Sequence, residues 1–270
     1  MEPVKRLIEI IEEIAKGNYS NDVMSLTTED NPEFVRNIAE AMGMMMVKVE
    51  AREYELEGMV EQLRELNDMI KENTIKTVSA MAHALAARDV YTEGHTARVG
   101  ELSRRMARYM GMDEETQEAI HLGGILHDIG KIGFSDSLFS ATEGQPSPDM
   151  HKEIVRHPEL GAAILKDLDF LGVSRDYVHY HHERLDGKGY PRKLKAEDIP
   201  QGARIVAVAD SYDAMTTDRS YQKGRSPDVA IEILMKHAGT QWDDACIDAL
   251  QAVLEEMGVI TKRSEYGREM

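Results

Sequence analysis

A chain of 270 residues with a single cysteine cannot close an intrachain disulfide, and it has room for one large domain or a medium domain with an appendage. Its 49 acidic against 32 basic residues give a formal charge of −17, which argues against a nucleic-acid partner but is compatible with a small polyanion bound through metals and a few local cations. No apolar run approaches the roughly 18 residues of a membrane span, and MEPVKRLIEIIEEIAKG lacks the continuous apolar stretch of a signal peptide, so a cytoplasmic, reducing location is expected.

Val4, Leu7, Ile11 and Ile14 recur at helical spacing and predict a helix that stops at Gly17. The polar connector NYSNDVMSLTTEDNPE follows. A longer apolar seam then runs through Ile38, Met42, Met45, Val49, Leu56, Met59, Leu63, Leu66 and Ile70, a heptad pattern interrupted by Arg52. Helix, connector and second helix resemble a HAMP signalling module (residues 1–50) continuing into a coiled coil (51–76). The expected state is a parallel homodimer; in the plainer alternative both helices pack on their own chain. Beyond Asn73 the apolar spacing stays helical over 76–88, 95–110, 114–128, 149–167, 174–183, 202–216, 227–237 and 243–257, bordered by Gly, Pro, Ser or Asp. No alternating run marks a strand, so the fold expected is all-α, with 77–270 as one helical domain.

The chemistry sits in three places: HDIGK (His127 to Lys131), HHERLDGKGYP (His181 to Pro191) and AVAD, ending at Asp210. Two adjacent histidines, an adjacent His-Asp pair and a further aspartate supply nitrogen and oxygen donors without thiolate, an inventory for hard or borderline divalent metals. Carboxylates bridge two ions, imidazoles hold them from the flanks, and a water shared between them becomes a nucleophile near neutral pH, which suits phosphate-ester hydrolysis. Asp128 is the candidate bridge while His127 holds one ion, and consecutive His181 and His182 are able to address two different ions. Gly123 and Gly124, one turn before His127, permit a close helix approach. Lys131 is the candidate to contact the scissile phosphate or assist the leaving oxygen; its plain reading is a lysine stabilised at a helix C-terminus. Gly187, Gly189 and Pro191 shape a loop on which Tyr190 can stack or hydrogen-bond. His83, His121, His151, His179 and His237 read as ordinary helix residues.

From Thr77 to Val259 the chain resembles the HD-GYP family, whose members hydrolyse cyclic dinucleotides, chiefly cyclic di-GMP. The resemblance is carried by ARDVYTEGHTARV (Ala87 to Val99), HDIGK, RHPELGA (Arg156 to Ala162), HHERLDGKGYP, EDIPQGARIVAVADSYDAM (Glu197 to Met215), TDRSYQK (Thr217 to Lys223) and AGTQWD (Ala238 to Asp243). It implies the helical bundle of the HD superfamily and a metal-dependent phosphodiesterase releasing linear pGpG or GMP. It adds His95 and His157, both expected at helix starts, as metal ligands, and sets Asp210 on a metal opposite His127. The seven ligands that result suit two divalent ions, and histidine and carboxylate donors fit iron or manganese, with zinc and nickel also compatible. Some members hold a third ion through a carboxylate near the first histidine; here Tyr91 offers none and Glu93 faces elsewhere on a helix, so a dinuclear centre is expected. Arg219 and Lys223 would bind substrate phosphates, and Tyr190 the nucleotide, with a diguanylate cyclase or an upstream signalling protein as a further partner. Ser220 and Gln222 depart from the family's DRPYR/KK pattern, and SATEGQPSP (Ser140 to Pro148) replaces its usual segment. Two other readings are a phosphodiesterase for cyclic GMP-AMP and a weakly catalytic cyclic dinucleotide receptor that signals through its coiled coil.

Overall fold

A computed structural model describes residues 2–19, 22–88, 94–139, 147–218 and 223–261. The expected all-α fold is what it contains: among the described residues the only extended pairings are isolated bridges, Asp186 with Lys195 and Ala238 with Trp242. Among them, too, no helix is long and apolar enough to cross a membrane. The chain divides into two compact units, Met1–Glu72 and Asn73–Met270.

In the first unit, α1 (Glu2–Ala15), a 3-10 turn (Val23–Thr27) and the start of α2 (Glu33–Arg88) close a small core of Leu7, Ile10, Val23, Leu26, Val35, Ala39 and Met46. The core-facing row of α1 is Leu7 and Ile10, with Ile14 half-buried beside them, not the expected Val4, Leu7, Ile11 and Ile14. The helix carries apolar residues on two faces, and its second row, Val4, Ile8 and Ile11, stays exposed. The seam on α2 is exposed: Leu56, Met59, Leu63, Leu66 and Ile70 are each half exposed or more.

Among the described residues the second unit is built from the end of α2 and eight further helices: α3 (His95–Tyr109), α4 (Glu114–Leu126), α5 (Asp136–Phe139), α6 (Pro148–Ile164), α7 (Ser174–Tyr180), α8 (Gln201–Thr216), α9 (Pro227–Lys236) and α10 (Asp244–Glu256). Side-chain oxygens of Asp113, Ser147, Ser226 and Asp243 accept from backbone N–H groups at the starts of α4, α6, α9 and α10, each such cap being worth about 1 kcal/mol. Helix α8 is the centre of the main core. Ile205, Val206, Val208 and Ala209 are fully buried among Met106 of α3, Leu234 of α9 and Leu250 of α10. A helix apolar on nearly every side is held rigidly, and Asp210 follows Ala209 on it.

Two backbone approaches bring the remaining motif residues together. A Cβ on Gly124 would lie 2.8 Å from the Cα of Gly100, so α3 and α4 touch backbone to backbone, the close approach expected of Gly123 and Gly124. A Cβ on Gly130 would run into the carbonyl oxygen of His157 and, at 2.6 Å, the nitrogen of Gly161, so the turn after α4 lies flat on α6. Gly130→Ala should therefore lower the unfolding free energy of this unit by about 1–3 kcal/mol, because backbone cannot give way as a side-chain tip can. Urea denaturation checks this; a variant as stable as the parent would mean that α6 is free to shift.

Candidate metal centre

Helix interruptions supply three of the histidines with their orientation. Helix α4 ends at Leu126, leaving the Gly124 carbonyl without a helical donor, and His127 Nδ1 takes it at 2.7 Å. Helix α7 ends at Tyr180, and His181 Nδ1 takes the Val178 carbonyl at 2.8 Å. His157 sits inside α6 and not at a helix start: Ser147 and Pro148 provide the true N-terminus, while Pro158 falls in the interior. Pro158 has no N–H for the carbonyl four residues back. That freed carbonyl, on Ile154, accepts from His157 Nδ1 at 2.6 Å. A carbonyl only accepts, so each Nδ1 carries a proton, and a ring that is neutral presents its Nε2 lone pair to the cluster.

His95, the first residue of α3, has its Nδ1 2.7 Å from Asp213 Oδ2, and its Nε2 3.2 Å from Asp210 Oδ1. His127 Nε2 lies 3.2 Å from Asp128 Oδ2 and 3.7 Å from Asp210 Oδ1, yet among the described residues it is buried without a hydrogen-bond partner. On the other side, His157 Nε2 is 3.4 Å from Asp128 Oδ1 and 3.3 Å from His181 Nε2. Donors that share one ion at bonds of about 2.1 Å and right angles are about 3 Å apart. Ligand atoms of His95, His127 and Asp128 lie within 4.8 Å of one another, as do those of His157, His181 and His182. Asp128 thus faces one set with each oxygen. His181 and His182, whose rings are 4.0 Å apart at the end of α7, both join the His157 set.

Burial pushes His157 down to about 3 and His182 to about 4, and holds His181 well below the ordinary imidazole range, so all three are neutral and able to ligate at pH 7. Burial would also lower His95, but hydrogen bonds to Asp210 and Asp213 outweigh it and raise the imidazole to about 9. For Asp128 burial opposes ionisation, and the charges of His127 and Lys131 overcome it, keeping the carboxyl well below its usual range.

Lys131, in the 3-10 turn Ile129–Gly133, reaches back to Asp128 Oδ2 at 2.5 Å. Tyr190 lies at the rim, its ring 4.8 Å from that of His182 and 6.5 Å from that of His157; burial, with Asp128 and Asp210 nearby, pushes its phenol up so that it stays protonated. Lys223 is exposed, and among the described residues it has no contact with the cluster. Arg219, Ser220, Gln222, Tyr91, Glu93 and residues 140–146 lie outside the described residues. His179 stacks on Tyr180 at 4.4 Å and takes no part.

Asp213 and Arg98 are functional neighbours that the motif reading missed. Arg98 Nε donates to Asp213 Oδ1 at 2.6 Å and its Nη2 to Thr217 Oγ1 at 3.1 Å, so the carboxylate that orients His95 is itself clamped. The signal was present: Asp213 is one helical turn after Asp210, and Arg98 one turn after His95.

Residues 79–246 match the model of the HD domain family. Curated relatives include the cyclic di-GMP phosphodiesterase response regulator RpfG of Xanthomonas campestris, 35% identical over 193 residues that make up 70% of this chain and 51% of that protein. A cyclic di-GMP phosphodiesterase of Thermotoga maritima is 36% identical over 180 residues, 66% of this chain and 49% of that protein. The chain thus spans about half the length of these relatives. Among solved structures, a cyclic GMP-AMP-specific phosphodiesterase of Vibrio cholerae superposes with a TM-score of 0.55 at 18% identity, over 68% of this chain and 49% of that one, a likeness of fold.

The neutral imidazoles make the metal-free protein acid-sensitive. His157, His181 and His182 stay unprotonated when folded but bind protons near pH 6.5 when unfolded, so the unfolded chain holds more protons below that pH. Stability should fall as pH drops from about 6.5 towards 4, while the opposite contribution of His95 is complete below 6.5 and fades only as pH rises towards 9. Thermal unfolding of chelator-treated protein should show Tm lower by several degrees at about pH 5 than at about pH 7; an equal Tm would contradict neutral burial of these rings.

Proposed function

The chain belongs to the HD domain family, with the GYP signature at residues 181–191, and from that premise we propose that it is a metal-dependent phosphodiesterase hydrolysing cyclic di-GMP to linear pGpG or on to GMP. The observation that carries the reading is Asp128, with His157 at 3.4 Å from one oxygen and His127 at 3.2 Å from the other. His95, His127, Asp128, His157, His181, His182 and Asp210 would hold two divalent ions, for which iron or manganese suits a nitrogen and oxygen donor set. When bound, such ions supply Lewis acidity toward phosphate oxygens and bring the ionisation of water near neutral pH. Lys131 holds a proton beside Asp128 for the departing 3′ oxygen, Tyr190 offers its O–H and ring face to the nucleotide, and Arg219 and Lys223 bind phosphate. A diguanylate cyclase docking near the GYP loop belongs to the same proposal.

Purification without air, metal analysis, and chromatography of products from cyclic di-GMP and cyclic GMP-AMP test this directly. Cyclic di-GMP should be the faster substrate; faster turnover of cyclic GMP-AMP would reassign the specificity. Asp128→Ala should lose turnover by at least about a thousand-fold and most bound metal while keeping its helical signal. Turnover retained with a full metal complement would remove Asp128 from the centre.

We further propose that residues 1–50 act as a HAMP-like regulatory module and that α2 pairs with its copy in a parallel dimer. The support is the half-exposed row Leu56, Met59, Leu63, Leu66 and Ile70 at heptad spacing, together with the second apolar row of α1. Aspartates at Leu56 and Leu63 would set like charges against each other in that seam. Light scattering should then give a helical monomer where the parent is a dimer; a parent already monomeric at micromolar concentration sinks the pairing.

A further inference from the structure

Glu183 follows the two histidines of the signature directly and is 4% exposed. A buried carboxylate needs partners, and its place in the sequence would suggest an additional metal ligand. Its oxygens are otherwise engaged: Oε1 accepts from the Arg192 backbone N–H at 2.5 Å and Oε2 from that of Leu194 at 3.0 Å. Lys193, between them, has φ +58°, the left-handed region that a residue with a Cβ enters only at a cost. That conformation turns the flanking N–H groups to one side and makes a small anion-binding concavity, which the Glu183 carboxylate fills.

The rest of the loop lies on the backbone around the same residue. Tyr190 N–H donates to the His182 carbonyl at 3.2 Å, and a Cβ on Gly189 would come within 2.5 Å of Glu183 Cα. The outgoing limb has its own brace, since Asp186 pairs with Arg184 at 2.8 Å and donates its N–H to the Thr240 carbonyl at 2.8 Å. On the returning limb the Arg192 and Leu194 N–H groups close on Glu183, the exposed Arg192 guanidinium lies 3.7 Å from Glu159, and Tyr190 stands against His182 and His157. We infer that Glu183 is a positioning residue: its buried charge folds the 187–194 loop and thereby fixes Tyr190 at the mouth of the metal centre, without ligating metal.

The kinetic consequence rests on the phosphodiesterase reading; the structural one does not. Glu183→Gln replaces one acceptor by an amide donor facing a backbone N–H. The holoenzyme variant should keep its parent metal content and helical signal, while trypsin cuts after exposed Lys188, Arg192 and Lys193 about ten-fold faster. KM for cyclic di-GMP should rise about ten-fold with a smaller change in kcat, and the same substitution in a Tyr190→Ala background should raise KM no further. Glu183→Asp, which keeps the charge but cannot span both donors, should be intermediate and serves if the glutamine variant fails to fold. Metal loss from a folded variant, unchanged tryptic cutting, or a KM effect that persists without Tyr190 would each overturn the assignment. If the parent holoenzyme leaves cyclic di-GMP intact, the phosphodiesterase reading fails, and metal content and loop cleavage alone decide the role of Glu183.

Discussion

A carboxylate enclosed between two sets of imidazoles is the constraint around which the helical unit is organised. Asp128 has lost most of its hydration, a change that costs several kcal/mol for an unpaired charge, and it stays ionised because Lys131 and His127 stand against it. Each of those partners is held by something else. Lys131 belongs to the turn that Gly130 lays on α6, and His127 belongs to the last turn of α4, which Gly124 presses onto α3. The packing of three helices and the charge balance of one aspartate are therefore the same problem.

The histidines divide into an acidic and a neutral side. His95 is oriented by Asp213, which Arg98 clamps, and in the absence of metal it is raised to about 9; His157 and His182 are oriented by groups without formal charge or by packing, and fall to about 3 and about 4. The first set faces the carboxylates of Asp128 and Asp210, whereas the second has free lone pairs and a single carboxylate oxygen, that of Asp128. The two sets thus differ in charge and in proton affinity through their supporting residues, although their imidazoles are alike.

The helices were largely legible because the burial of each depends on local apolar spacing: 95–110, 202–216 and 227–237 correspond to α3, α8 and α9 within one residue at either end. What failed depended on choices that spacing leaves open. On α1, two apolar rows compete, and only packing against Val23 and Val35 selects Leu7 and Ile10. At RHPEL the proline resembles a helix start, whereas Pro158 is tolerated inside α6 because its missing hydrogen bond is replaced by a histidine side chain. The short α5 and the 3-10 turns leave no periodic trace. Lys193 is invisible to turn chemistry, which looks for glycine or asparagine where φ is positive, and with it the partner of Glu183 is hidden as well.

The distant motifs make sense as one hydrogen-bonded assembly. Arg184 of the signature donates to Asp186 within the loop and to Gln241 of the AGTQWD segment at 2.6 Å, while Trp242 Nε1 reaches Ser211 Oγ at 3.1 Å, one residue beyond Asp210 on α8. Arg204, on the same helix, holds Asp243, whose other oxygen caps α10. Segments separated by tens of residues thereby fix the loop that carries Tyr190 and the helix that carries Asp210 to a common frame. Within HHERLDGKGYP the labour is divided accordingly: the histidines face the metal centre, the glutamate closes the loop, and the Arg-Asp pair fastens it to the end of the domain. A substitution in AGTQWD would act on the donor cluster through that frame, with no side chain of its own in either histidine set.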